Sequence, residues 1–198
     1  MKIQFLGAAD TVTGSRHRVD IGNQCLLLDC GLFQGDKVHR ERNWVPLDPA
    51  LRELDAVVLS HAHLDHSGCL PVRVRDGCPG PVYATPATIA LASVWLLDSA
   101  HLQEEDARRA NRYGYSRHAR ALPLYERADA QRVMARFKPL PAGRRRALRI
   151  VPLQQSSVGH LLGAHAVRLG HGGCRVRAGP VSSSRPASWP PACVCCTN

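Results

Sequence analysis

Residues 60–68 read Ser60-His61-Ala62-His63-Leu64-Asp65-His66-Ser67-Gly68 and follow directly on the apolar run Ala56-Val57-Val58-Leu59. Three imidazoles and one carboxylate fall within six residues, where a buried strand would end. Zinc takes imidazole nitrogen and carboxylate oxygen readily, so the stretch is expected to bind metal, and two ions rather than one. In extended backbone, alternate side chains share a face: His61 and His63 can grip one ion, while Asp65 and His66, past the bend, can face a second. A purification tag is excluded, because tags are runs at chain ends and this cluster is interior, spaced and preceded by a strand signal.

Outward from this stretch, the pattern predicts alternating strands and helices. Lys2 to Leu6, His17 to Ile21 and Gln24 to Asp29 read as strands, the last two joined by a Gly22-Asn23 hairpin turn. Ala56 to Leu59 and Val82 to Ala84 are further strands. Thr85-Pro86 supplies an N-cap and a first-turn proline for a helix with Ile89, Ala92, Leu96 and Ala100 at helical spacing, running to about Arg109. Arg127 to Phe137 is expected to be a second helix, stopped by Pro139 and Pro141. Strand character resumes at Leu148 to Leu153 and at Ala166 to Leu169. Strands mixed with helices, and a site on loops at strand ends, fit one half of an αββα sandwich, an α/β (α+β) fold.

At 198 residues with 44% apolar content, the chain has enough for one sizeable core. No apolar run approaches the ~20 residues of a membrane span, and Met1-Lys2-Ile3-Gln4-Phe5 reads as the lead-in to a strand rather than a signal peptide. The expectation is a cytoplasmic protein with no membrane partner. Cys25, Cys30, Cys69 and Cys78 lack zinc-ribbon spacing and are expected to be reduced. Charge is divided unevenly. Residues 1–129 carry 16 acidic and 15 basic side chains, net −1, whereas residues 130–198 carry 11 basic and no acidic ones, net +11, together the stated +10. Arg144, Arg145 and Arg146, with Arg149, are candidate RNA phosphate contacts; the competing reading is a solvated arginine-rich loop.

His61, His63, Asp65 and His66 together resemble the HxHxDH motif of the metallo-β-lactamase superfamily, in full. Gly7-Ala8-Ala9-Asp10-Thr11-Val12-Thr13-Gly14-Ser15, Leu26-Leu27-Leu28-Asp29-Cys30-Gly31, and Leu97 to Tyr125 with Gln103-Glu104-Glu105 and Asn111-Arg112-Tyr113-Gly114-Tyr115 are similar to the β-CASP branch, which includes ribonuclease J. The resemblance implies a zinc-dependent hydrolase with RNA as substrate and partner. It also implies that His160, in Val158-Gly159-His160-Leu161-Leu162-Gly163, brings a third imidazole to the ion held by His61 and His63, with Gly159 and Gly163 allowing close backbone approach. By the same resemblance, Asp29 is a residue that orients ligands, and Asp65 is catalytic, orienting a metal-generated hydroxide. His101, His118, His165 and His171 match no ligand position. Whether cleavage is exonucleolytic or endonucleolytic, and whether the chain is a homo-oligomer, is open at this stage.

The chain also departs from the family. Two zinc ions are the family's complement, but no carboxylate side chain follows Asp129, so a downstream bridging aspartate is missing. One ion has three imidazoles, the other only Asp65 and His66. Residues 1–170 are expected to form the amino-terminal portion of a metallo-β-lactamase-like domain, with no β-CASP domain. Residues 171–198, rich in cysteine, proline and serine, show no helical or strand period. They are expected to be an aberrant, unstructured tail from a frameshifted or prematurely ended translation; a cysteine-rich metal tail is the rival reading. Weak or absent activity of this chain follows. The other functional classes are a thioester or lactam hydrolase of the same superfamily and a non-catalytic metal-binding fragment.

Overall fold

The central parallel strands Ala56–Val58 and Val82–Ala84 are apolar without interruption because both of their faces are covered. The computed structural model describes residues 1–9, 11–46, 49–78, 80–143, 145–148, 151–171, 174–178 and 195–197; of 49–50, 145–146, 148, 171, 174–178 and 195–197 it describes the backbone only. One sheet has six strands in sequence order: β1 (Lys2–Gly7), β2 (Arg16–Ile21), β3 (Gln24–Leu28), β4 (Ala56–Val58), β5 (Val82–Ala84) and β6 (Phe137–Pro139). The β1–β2–β3 pairings are antiparallel and the β3–β4–β5–β6 pairings parallel. A second, antiparallel sheet runs β7 (Arg145–Leu148), β8 (Val151–Ser157), β9 (His165–His171), β10 (Cys174–Ala178) and β11 (Cys195–Thr197).

Two cores follow from the pleat, which sends successive side chains to opposite faces. Leu27, Val57 and Ala84 join the helix-side core with Ala92, Leu96, Ala100, Ala130 and Val133. Their neighbours Leu26, Leu28, Ala56, Val58 and Tyr83 meet Val151, Leu153, Val167 and Leu169 of the other sheet. The helices are α1 (Lys37–Glu41), α2 (Leu64–Ser67), α3 (Leu70–Arg75), α4 (Pro86–Tyr113) and α5 (Arg127–Met134). Helix, sheet and sheet therefore form three stacked layers among the described residues, an α/β fold of metallo-β-lactamase type. No helix among these residues is long and apolar enough to cross a membrane.

Several boundaries differ from the sequence reading. The second helix ends at Met134, and Phe137 opens β6, pairing with Val82. A buried aromatic at a sheet edge packs better as strand, and Pro139 is tolerated there because an edge strand can spare a donor. The Leu148 to Leu153 run is split into two strands that pair Leu148 with Val151. Thr85 caps α4 by accepting from the Thr88 N–H at 3.3 Å, and the helix continues to Tyr113, ending on Gly114 at φ +65°. Cys25, Cys30, Cys69 and Cys78 are free and buried. In the 171–198 segment, expected to lack structure, Cys174–Ala178 and Cys195–Thr197 have strand backbone, and most of the remainder lies outside the described residues.

Candidate metal centre

Backbone hydrogen bonds by themselves clasp the histidine-rich turn. The N–H groups of Ser15, Cys30 and Leu32 donate to the carbonyls of Asp65, His66 and Leu64 at 2.8, 2.7 and 2.8 Å, and the Cys69 N–H donates to Cys30 at 2.8 Å. So close an approach requires glycine at position 31, where a Cβ would lie 1.6 Å from the Asp65 carbonyl oxygen. Ser15 and the Cys30-Gly31-Leu32 segment thus form the cradle on which α2 sits.

Asp29, buried just past β3 at φ +57°, is the hub beneath the cluster. Its carboxylate accepts from the Ser60 N–H at 2.7 Å and the Ser60 hydroxyl at 2.9 Å, and lies 2.7 Å from His66 Nδ1. Burial alone would raise the Asp29 carboxyl, but His66 beside it and the Ser60 N–H outweigh that and hold it below the usual range. For His66 burial again disfavours charge, yet Asp29 and Asp65 prevail and raise the imidazole to about 10. With Nδ1 turned to Asp29, His66 Nε2 faces Asp65 Oδ2 at 3.4 Å. Burial also pushes Asp65 upward, but the hydrogen bond to His66, the charge of that ring and the nearby His61 together outweigh it and leave the carboxyl below its usual range.

On the other side of the cluster, His61 Nε2 lies 3.0 Å from His63 Nδ1, and His61 Nδ1 lies 2.9 Å from the Ser60 hydroxyl. Burial pushes His61 down to about 3 and lowers His63 as well. Both are therefore neutral at physiological pH, the form that has a lone pair to give.

His160 comes from the other sheet, on the loop between β8 and β9. One ligating nitrogen from each of His61, His63 and His160 lies within 4.8 Å of the others, so these three could hold a metal ion. A tetrahedral zinc with ~2.0–2.1 Å bonds needs its ligand atoms roughly 3.4 Å apart, a spacing that the 3.0 Å between His61 Nε2 and His63 Nδ1 and the 4.8 Å limit for the three bracket. The loop is seated on the first turn of α4: the Gly163 carbonyl accepts from Thr85 Oγ1 at 3.0 Å, from Thr88 Oγ1 at 2.7 Å and from His165 Nδ1. The Ser60 carbonyl also accepts from the His165 N–H at 2.9 Å, tying β9 to the histidine turn.

The structure thus brings His61, His63, Asp65, His66 and His160 together, with Asp29 beneath them. Arg144 lies outside the described residues, as does Arg149, and of Arg145 and Arg146 only the β7 backbone is described. His101 and His118 are exposed and away from the cluster, whereas His165 is a buried support. Gln103, Glu104 and Asn111 clasp the segment after α4: Gln103 and Glu104 accept from the Leu124 and Arg127 N–H groups, and Asn111 exchanges two hydrogen bonds with Ala121. Trp95, which sequence reasoning passed over, stacks parallel on His63 with ring centroids 5.2 Å apart. Nothing in the sequence distinguishes it from the other residues of α4.

Three stacked layers, with three imidazoles converging at the strand ends, are the architecture of the metallo-β-lactamase fold. Residues 24–174 match the family of beta-lactamase superfamily domains, and the chain belongs to that superfamily. Ribonuclease TTHA0252 of Thermus thermophilus is 36% identical over 184 residues, covering 92% of this chain and 38% of its own length. The transcription termination factor FttA of Cenarchaeum symbiosum is 31% identical over 157 residues, covering 73% of this chain and 22% of that protein. The chain therefore spans well under half the length of these relatives. Among solved structures, a metallo-beta-lactamase from Cronobacter sakazakii shares the fold, with a TM-score of 0.50 at 19% identity over 91% of this chain and 62% of that one.

Proposed function

We propose that this chain carries the metal site of a zinc-dependent ribonuclease of β-CASP type, acting on RNA phosphodiesters in the cytoplasm. His61, His63 and His160 would hold one zinc ion, and Asp65 and His66 would contribute to a second. The observation that carries the reading is the arrival of His160, from the opposite sheet, within 4.8 Å of His61 and His63. Zinc, when bound, supplies a hydroxide at neutral pH and stabilises charge on a phosphoryl oxygen. Asp65, whose carboxyl lies below its usual range, would accept the hydrogen bond that orients the attacking oxygen. Asp29 fixes the His66 ring so that Nε2 points into the site, the support that metal-binding histidines need. His160 is exposed, which leaves the cluster open to a polymeric substrate.

RNA is favoured over a thioester or lactam because the relatives are named as a ribonuclease and a termination factor. The positive excess of residues 130–198, including Arg145 and Arg146 on β7, supports phosphate contact. In this reading residues 1–170 are the metallo-β-lactamase-like portion and 171–198 a separate tail. With only two side chains for the second ion, the 198-residue chain would turn over RNA slowly or not at all. The test compares labelled RNA with a generic thioester, with and without chelator, for this chain and for one extended to the relatives' length. Chelator-sensitive RNA cleavage by the longer chain, abolished by Asp65→Ala, is expected. Chelator-insensitive cleavage, or thioester hydrolysis outrunning RNA cleavage, would overturn the proposal.

A further inference from the structure

Beside the histidines, a cavity of about 450 Å³ runs along α4 and opens onto His63 and Asp65. That volume lies within the ~300–1,000 Å³ typical of ligand pockets. One helix face builds its wall: Trp95, Asp98, Leu102 and Asp106 are spaced i, i+3, i+7 and i+11, so they line up along the groove. Neither Asp98 nor Asp106 has a hydrogen bond or ion pair among the described residues, and no lysine or arginine lines the cavity. Leu102 is 55% exposed and, with Leu64 and Trp95, gives the channel apolar surface between its carboxylates. Helix α4 cannot readily shift here, because Ser99 and Gln103 are spent on Tyr125 and Leu124.

The sign of this field decides which part of a nucleotide can enter. A phosphate would meet two unpaired carboxylates with no cation to offset them. A base is uncharged, has flat faces for Trp95 and Leu102, and carries edge donors that a carboxylate accepts. Resting on the RNA-cleaving reading above, we infer that the α4 groove is a nucleobase subsite for the nucleotide adjoining the phosphodiester at the metal cluster, selective for bases with an exocyclic amine and for guanine first. Guanine presents N1–H and its 2-amino group side by side, matching the two oxygens of one carboxylate. Adenine and cytosine offer one amino group each. Uracil flanks its single N–H with two carbonyls that a carboxylate repels.

The experiment measures binding, which needs no turnover, by fluorescence polarisation of labelled pentaribonucleotides on the full 198-residue chain, with zinc content measured in parallel. A central guanosine should tighten binding roughly tenfold over pentauridylate, the scale of a good bidentate base contact. The Asp98→Asn/Asp106→Asn double variant should erase that preference, and Leu102→Trp, filling the groove from an exposed position, should weaken both oligonucleotides while leaving zinc content unchanged. If the chain holds zinc but binds the two RNAs equally, prefers pentauridylate, binds neither, or ignores Leu102→Trp, the subsite is refuted and the metal reading stands. If zinc is absent while the guanosine preference persists and falls in the double variant, the subsite stands and the metal reading falls.

Discussion

Gly163→Ala isolates the tertiary contact on which the metal centre depends. Gly163 has φ +80°, and an added Cβ would sit 2.6 Å from the Thr88 backbone nitrogen and 2.9 Å from both Ala87 Cβ and Thr88 Oγ1. The backbone of a capped helix cannot yield, so the loop must move. The left-handed conformation costs an L-residue about 1–2 kcal/mol. Loosening the bonds from Thr85 and Thr88 to the Gly163 carbonyl adds about 0.5–1.5 kcal/mol each. The total is roughly 2–5 kcal/mol, with His160 displaced from its partners. Gly114→Ala is the control: at φ +65° it meets nothing within 4 Å, so it pays only the conformational cost. By chelator competition, Gly163→Ala should bind zinc about 10–100-fold more weakly, the usual cost of losing a support to a metal ligand, and Gly114→Ala should bind as the parent does. Parental zinc affinity in a destabilised Gly163→Ala chain would refute the reasoning, since His160 would then not depend on its seat.

Metal analysis after dialysis should give about one zinc per chain rather than two, falling sharply in His160→Ala, because three imidazoles would hold one ion and only two side chains the other. Gly31→Ala should prevent folding, read by circular dichroism, since its Cβ would lie 1.6 Å from the Asp65 carbonyl oxygen with backbone on both sides; a folded variant would disprove the cradle. Tyr125→Phe removes the 2.9 Å bond from the buried phenol to Ser99 and should cost about 1 kcal/mol in denaturant unfolding while leaving zinc binding intact.

Helix α4 was legible from Thr85-Pro86 and its apolar spacing, because a cap, a first-turn proline and a 3.6-residue period are local signals. Phe137–Pro139 was not: its strand exists only because β5 offers an edge, and no local preference records that. The same division runs through the site. His61, His63, Asp65 and His66 stand within six residues, so chain connectivity alone holds them near one another and their chemistry could be read directly. His160 lies some hundred residues away, and only its family likeness marked it. What brings it to His61 is the packing of one sheet on the other and a single glycine carbonyl seated on α4. Trp95 and the groove beside it had no signal at all in sequence, because a parallel stack and a cavity are relations between surfaces. Covalent spacing marked four of the residues that could bind metal; the tertiary structure alone decided how many meet, which ring nitrogens face inward, and what lies next to them.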